Sequence, residues 1–120
     1  MAKLKTNATT WDTGRCLEDR VCNYLKPYDK SIRHERGSGN QGGSGDVKNE
    51  LDLVIECKNH AGKNINVPIE TYDKVLRECP TGRHKTPMVI RQVDDGRIFV
   101  VMELKHFVND FVDEVYEKDL

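Results

Sequence analysis

Apolar residues recur at helical spacing in three segments of the chain. These segments lie over about residues 12–25, 68–79 and 104–116. The positions that define them are Leu17, Val21 and Leu25; Ile69, Tyr72, Val75 and Leu76; and Leu104, Phe107, Val108, Phe111, Val112 and Val115. Pro27 closes the first segment, and Pro68 opens the second, where a missing N–H is tolerated. The pattern predicts three helices, each with one apolar face.

Strands are predicted between these helices. Ser31–Arg36 is a short candidate strand, and Asp46–Lys58 has the apolar, β-branched content of a strand pair or of one bent strand. Met88–Ile90 and Ile98–Met102 flank the turn Asp94-Asp95-Gly96 and predict a hairpin. The resulting order, α-β-β-β-α-β-β-α, predicts an α/β fold in which helices flank a mixed central sheet.

The segment from Gly37 to Gly45 is the low-complexity part of the chain, since five of its nine residues are glycine. A surface linker is one interpretation. However, 120 residues form a single domain, so this is an internal loop, and long internal loops are usually functional or disordered. We therefore expect a flexible N-terminus over 1–9 and one domain over 10–120 that contains a Gly/Ser loop over 37–45.

The charge balance limits the partners of the protein. There are 19 Lys and Arg against 20 Asp and Glu, a net charge of -1, which excludes a polybasic nucleic-acid binder. The charges are unevenly distributed, with +3 over 1–36, -2 over 37–60, +3 over 61–91 and -5 over 92–120. The two basic segments would form a basic face if they met, and a mixed solvated surface is the alternative.

Location and redox state follow from what the sequence lacks. It has no apolar stretch near the roughly 20 residues of a membrane span, and its start has no apolar core of a signal peptide. We therefore expect a cytoplasmic protein with no membrane partner. Cys16, Cys22, Cys57 and Cys79 lack the spacing of a zinc site, and we expect reduced thiols.

The densest chemical signal is Gly45-Asp46, followed after nine residues by Glu56-Cys57-Lys58. Alternation along a strand puts Glu56 and Lys58 on one face, with Cys57 pointing away. If Asp46 lies on a neighbouring strand or turn, two carboxylates meet, and with a backbone carbonyl they suit Mg²⁺. Lys58 would then orient a water and stabilise charge on phosphate oxygens. An exposed ion pair at a strand end is the alternative.

These residues resemble a known family. Gly45-Asp46 with Val54-Ile55-Glu56-Cys57-Lys58-Asn59 is similar to the G-D…(I/V)-E-x-K core of PD-(D/E)XK nucleases. More closely, residues 12–116 resemble Holliday junction resolvases of the archaeal type and their phage-encoded relatives. Further similar segments are Gly14-x-x-x-Glu18, Arg36-Gly37-Ser38-Gly39, the hairpin strands over 86–91 and 100–102, and the final helix with Phe107 and Phe111.

The resemblance implies a restriction-endonuclease-like fold and a Mg²⁺-dependent endodeoxyribonuclease of DNA recombination, with Mn²⁺ as the alternative metal, in a bacterial, archaeal or phage-infected cell. It would resolve four-way junctions by symmetric phosphodiester hydrolysis. The implied catalytic residues are Asp46, Glu56, Lys58, Glu18 and Ser38, and the implied metal ligands are Asp46, Glu56, Glu18 and the Cys57 carbonyl. The candidate DNA contacts are Arg33, Arg36, Ser38, Lys63, Arg83, His84 and Lys85.

Paired cuts in a two-fold symmetric junction imply a homodimer, and the apolar stripe of the last helix is its candidate interface. Packing of that stripe on the sheet is the alternative. Asp52 competes with Asp46 for the metal, but it lies inside the predicted apolar strand, so Asp46 is favoured. Two other functions stay open: a different PD-(D/E)XK DNA nuclease (nicking, end-processing or restriction-like) and a non-catalytic nucleic-acid-binding module of the same fold.

Overall fold

The structure, a computed structural model, describes residues 10–34, 45–59 and 62–116, with side chains from residue 17 onward. Its elements follow the predicted order. They are α1 (Thr10–Leu25), β1 (Arg33–His34), β2 (Val47–Lys48), β3 (Leu53–Asn59), α2 (Ile69–Glu78), β4 (Thr86–Gln92), β5 (Ile98–Val101), α3 (Leu104–Phe107), a π-helical turn (Val108–Val112) and α4 (Asp113–Val115). The segment 46–58 thus contains two strands, β2 and β3, which lie in different sheets. The predicted flexible N-terminus and most of the Gly/Ser loop lie outside the described residues.

The strands form a mixed three-stranded sheet and a separate two-stranded one. In the larger sheet the order is β3-β4-β5, with β3 parallel to β4 and β4 antiparallel to β5. Helix α2 is the crossover between the two parallel strands, which require a long connection. Strands β1 and β2 form an antiparallel pair, and Gly45 bridges to Ile55 of β3. The α/β class with a mixed sheet and helices is confirmed.

The core lies on both faces of β3 and β4 because alternate side chains of a strand point to opposite sides. On one face, Ile55 packs with Leu17 and Val21 of α1. On the other, Val54 and Val89 pack with Tyr72 and Val75 of α2. Helix α1 therefore covers one side of the central strands and α2 the other. In the part of the chain that the structure describes, no helix is long and apolar enough to cross a membrane.

Two local predictions are wrong. Ile69 was expected on the buried face of α2, but it is the first residue of the helix and is 65 % exposed. Asp52 was expected inside the apolar strand, but it precedes β3 with a φ of 62°. Asp is one of the few residues that adopts this left-handed conformation readily. Asp52 is therefore a turn residue.

The last helical segment leaves its apolar side chains largely uncovered. Leu104 and Val115 are 74 % and 72 % exposed, and Phe107 and Phe111 are 46 % and 38 % exposed. The ring centroids of the two phenylalanines are 6.1 Å apart. Asp110, in the π-helical turn, instead turns to the sheet and accepts hydrogen bonds from Thr86 and His84. The segment is thus anchored by polar contacts, and its apolar stripe does not pack on the sheet as a whole.

Candidate functional site

The site is built around the second half of β3. Glu56 and Lys58 lie on the same face, as predicted, and Lys58 Nζ is 3.2 Å from Glu56 Oε2. Lys74 of α2 reaches the same oxygen, with its Nζ at 3.9 Å. Glu56 is only 6 % exposed, so its charge is buried between two lysines. A buried carboxylate paired in this way is more than a surface ion pair, because removal of its partners would leave an uncompensated charge.

Asp46 is fixed to the same strand by its main chain and its side chain. Its N–H donates to the Ile55 carbonyl at 2.7 Å, and its Oδ2 accepts from the Cys57 N–H at 2.9 Å. Gly45 makes this approach possible, because it has a φ of 76° and a Cβ there would lie 2.3 Å from the Ile55 oxygen. The Gly-Asp dipeptide therefore holds a carboxylate beside the residue that separates Glu56 from Lys58.

Glu18 brings a third carboxylate from α1. Burial raises its pKa to about 6, and the negative charges of Asp46, Asp19 and Glu56 add to this shift, which His34 opposes. The pKa of Asp46 is also raised, mainly by burial and in part by Glu56, although the Cys57 N–H opposes the shift. Glu18, Asp46 and Glu56 thus share one region in which additional negative charge is unfavourable.

The Cys57 thiol, on the opposite face of β3, is also affected by the negative charges of these carboxylates. Burial raises its pKa well above the usual value, and the negative charges of Asp46, Glu18 and Glu56 raise it further. A thiol that stays protonated is a poor nucleophile and a poor metal ligand. Any ligand role of Cys57 therefore falls to its backbone carbonyl.

The donor set fits a hard divalent cation in its chemistry. Carboxylate oxygens are the ligands that Mg²⁺ prefers, and a cation would relieve the repulsion among the three acids. Within the described ranges, however, no group of three or more His, Cys, Asp and Glu side chains is arranged to hold a metal ion. Glu56 is engaged by Lys58 and Lys74, and the Nδ1 atom of His34 lies 3.8 Å from Glu18 Oε2. These side chains would have to give way to the metal.

Two residues near the site were not predicted as site residues from the sequence. His34 of β1 contacts Asp19 with its Nε2 2.8 Å from Oδ1, as well as Glu18. Lys74 approaches Glu56 from α2, next in sequence to the buried Val75. Exposed basic residues are common on helices, so the sequence carries no signal for Lys74.

The predicted DNA contacts do not gather around the carboxylates. Thr86 is in register with Leu53, so the loop before β4 lies at the opposite end of β3 from Lys58. In that loop, Arg83 Nη2 is 2.7 Å from Asp52 Oδ1, His84 pairs with Asp110, and Lys85 is buried. These three side chains are engaged within the protein. Asp52 therefore pairs with Arg83 and is not part of the carboxylate cluster.

The remaining candidates are dispersed. Arg33 is exposed on β1, opposite Lys48. Lys63 is exposed in the segment after β3, where the neighbouring Gly62 carbonyl accepts the Asp94 N–H of the hairpin turn at 2.9 Å. Arg36 and Ser38 lie outside the described residues. The structure thus brings together Glu18, Asp46, Glu56 and Lys58, but not the predicted basic set.

Comparison with protein-family models, with curated proteins and with solved structures found no match for this chain. The nuclease family consequently stays a prediction that rests on the motif residues and on their arrangement.

Proposed function

We propose that this protein is a metal-dependent DNA endonuclease of the PD-(D/E)XK type. One observation carries the proposal: Asp46 is bonded to the Cys57 N–H, so its carboxylate lies beside Glu56 and Lys58, and Lys58 Nζ is 3.2 Å from Glu56. Two acids and a lysine held together at the second half of β3 have little structural use, because removing charged groups from water is costly. They suit the hydrolysis of a phosphodiester.

Each residue has a role in that reaction. Asp46, Glu56 and the Cys57 carbonyl would hold the cation, with Glu18 as an auxiliary ligand, and Mg²⁺ or Mn²⁺ would polarise the phosphate and acidify a water when bound. Lys58, released from Glu56, would orient the attacking water and stabilise the charge that develops on the phosphate oxygens. The water oxygen joins phosphorus and gives up a proton to solvent, one P–O ester bond breaks, and the departing oxygen takes a proton from solvent.

The substrate and assembly belong to the same proposal. Resolution of a four-way DNA junction needs two symmetric cuts, and a chain with one carboxylate cluster would supply them as a homodimer. The exposed apolar side chains of the last helical segment, such as Leu104 and Phe107, support this assembly because soluble monomers seldom expose contiguous apolar patches. A net charge of -1 predicts DNA binding that is modest and sensitive to salt.

The test is a cleavage assay with three substrates, namely a four-way junction, a linear duplex and a flap, each with Mg²⁺ or with EDTA. Wild-type protein should cut the junction symmetrically with Mg²⁺ only. Asp46→Asn and Lys58→Ala should each reduce the cleavage rate at least about 100-fold and leave DNA binding largely unchanged. Lys105→Ala, on the exposed side of α3, is the matched control and should cleave normally.

The outcomes separate the competing functions. Cutting of linear duplex alone would indicate a restriction-like or nicking nuclease of the same type. DNA binding without cleavage of any substrate would indicate a non-catalytic module. Cleavage that survives both Asp46→Asn and Lys58→Ala would show that the reaction takes place elsewhere.

A further inference from the structure

Arg91 of β4 is a buried cation that the proposed chemistry does not use. It is 5 % exposed, and its Nε and Nη1 atoms are buried without a hydrogen-bond partner. In register, Arg91 is beside Lys58 of β3 and Phe99 of β5. It shares a strand face with Val89, which packs under α2. Arg91 therefore lies next to Lys58 on the side of the sheet that carries Glu56.

An unpaired buried guanidinium is costly, and native proteins rarely keep one without a reason. Hydrogen bonds to buried polar groups are nearly always made, and a charge without them carries a large desolvation penalty. Among the described residues, no carboxylate is within ion-pair distance of Arg91. The buried acid of this face, Glu56, is already engaged by Lys58 and Lys74. Of the three cations on this face, Lys58 and Lys74 are thus paired with carboxylates, and Arg91 is not paired with any described carboxylate.

We propose that Arg91, beside Lys58, binds a phosphate group, and that this group is a backbone phosphate of the nucleic-acid substrate. The proposal rests on the proposed function and deepens it, because it adds a substrate-binding residue to the site. A guanidinium has N–H donors in a fixed planar arrangement that matches the oxygens of a phosphate. Phosphate oxygens would satisfy the donors of Arg91 that have no protein partner.

The arrangement also assigns different tasks to the two neighbouring cations. Lys58 is exposed by 41 % and is paired with Glu56, so it can move between its carboxylate and a substrate. Arg91 is held by the packing of β3, β4 and β5, and its guanidinium is a rigid planar set of donors. Arg91 would therefore fix the phosphate, while Lys58 acts on the reacting water.

The test is performed in EDTA, so it does not depend on cleavage. Wild-type protein labelled with ¹⁵N is titrated with inorganic phosphate, and separately with a short DNA duplex and a four-way junction. The Nε–H resonance of Arg91 should shift with each of them. Arg91→Met should lower phosphate affinity about tenfold or more, since hydrogen bonds to charged groups are strong, and Arg91→Lys should have an intermediate effect.

The matched control is Arg77→Met, which removes an exposed arginine of α2 and should leave phosphate affinity unchanged. Thermal denaturation with and without phosphate gives a second readout: phosphate should raise the Tm of the wild type and of Arg77→Met, but not that of Arg91→Met. If Arg91→Met does not fold, the Arg91 Nε–H resonance of the wild type and the phosphate affinity of Arg91→Lys test the proposal.

Three results would overturn the inference. They are an Arg91 Nε–H resonance that does not respond to phosphate, unchanged phosphate affinity in the folded Arg91 variants, and a response to inorganic phosphate but not to DNA. The last result would leave an anion site but not a substrate contact. Loss of the nuclease proposal is a separate outcome, because it would appear as absent cleavage with Mg²⁺ while Arg91 still binds DNA phosphate in EDTA.

Discussion

Replacement of Glu18 by glutamine should make the protein more stable at neutral pH. Folding raises the pKa of this carboxyl from 4.5 to about 6, mainly through burial and then through the charge of Asp46. A carboxyl with a raised pKa binds more protons in the folded state than in the unfolded state between these two values. The contribution of Glu18 to the free energy of unfolding should therefore fall as pH rises from about 4.5 to about 6 and stay constant above pH 6.

The magnitude follows from the same shift. A change of 1.5 pKa units corresponds to about 2 kcal/mol, since each unit is worth about 1.4 kcal/mol. The side chain is 22 % exposed and is close to His34, so solvent screening and the loss of that contact reduce the expected gain. We expect Glu18→Gln to be about 1 kcal/mol more stable than the wild type at pH 7.5.

The assay is urea unfolding of both proteins at pH 4 and pH 7.5, in EDTA. The difference between Glu18→Gln and the wild type should be small at pH 4 and reach its full value at pH 7.5. Glu114→Gln, which replaces an exposed acid in α4, is the matched control and should show no such difference. If Glu18→Gln and the wild type have the same dependence on pH, Glu18 does not share a field with Asp46 and Glu56, and the reasoning about the site is refuted.

Two further substitutions test other parts of the structure. Gly45→Ala should destabilise the protein by about 2 kcal/mol or more, because its Cβ would lie 2.3 Å from the Ile55 oxygen. Gly82→Ala has a similar positive φ but nothing within 4 Å, so it should cost only about 1 kcal/mol. Thermal denaturation of the two variants compares these losses. Equal losses would refute the close approach at Gly45. Asp110→Asn should cost about 1 kcal/mol of stability at pH 7. Although burial raises the pKa of Asp110, hydrogen bonds from Thr86 and His84 lower it further, to below 3.8. The difference in stability from the wild type should therefore disappear as pH falls through that lowered pKa, and a difference that persists at pH 2 would contradict this.

Much of the fold could be predicted because local signals and packing agree in it. The stripe of Leu17, Val21 and Leu25 predicted α1, and two of these residues enter the core as fully or almost fully buried side chains. The turn Asp94-Asp95-Gly96 predicted the hairpin of β4 and β5, which the register confirms. In each case the period of the apolar residues and the identity of the turn residues point to the same structure.

The remaining differences come from interactions that no single segment encodes. Asp52 looked like a strand residue, but its side chain pairs with Arg83, which is 31 positions away in the chain, and its carbonyl accepts the Thr86 N–H. The π-helical turn at 108–112 allows Asp110 to reach Thr86 and His84, and helical periodicity alone does not predict such a turn. Long-range polar contacts therefore determine the structure at Asp52 and Asp110, which the sequence patterns did not predict.

The carboxylate site could be predicted in composition and in part in geometry. Alternation correctly placed Glu56 and Lys58 on one face, since their charged atoms are 3.2 Å apart. The contribution of Lys74 could not be predicted, because it depends on the rotation of α2 over the sheet. The role of Arg91 could not be predicted either, because an arginine inside a strand indicates nothing until its register with Lys58 is known.

The double attachment of Asp46 to β3 has a consequence for how this scaffold can vary. Its N–H and its Oδ2 are hydrogen-bonded to the main chain of Ile55 and Cys57, so its position depends on backbone groups that every residue type except proline provides. The connection over residues 49–52 does not carry Asp46. Short backbone contacts thus hold the Gly-Asp and Glu-x-Lys pieces together, which makes them a transferable unit for grafting into other sheets.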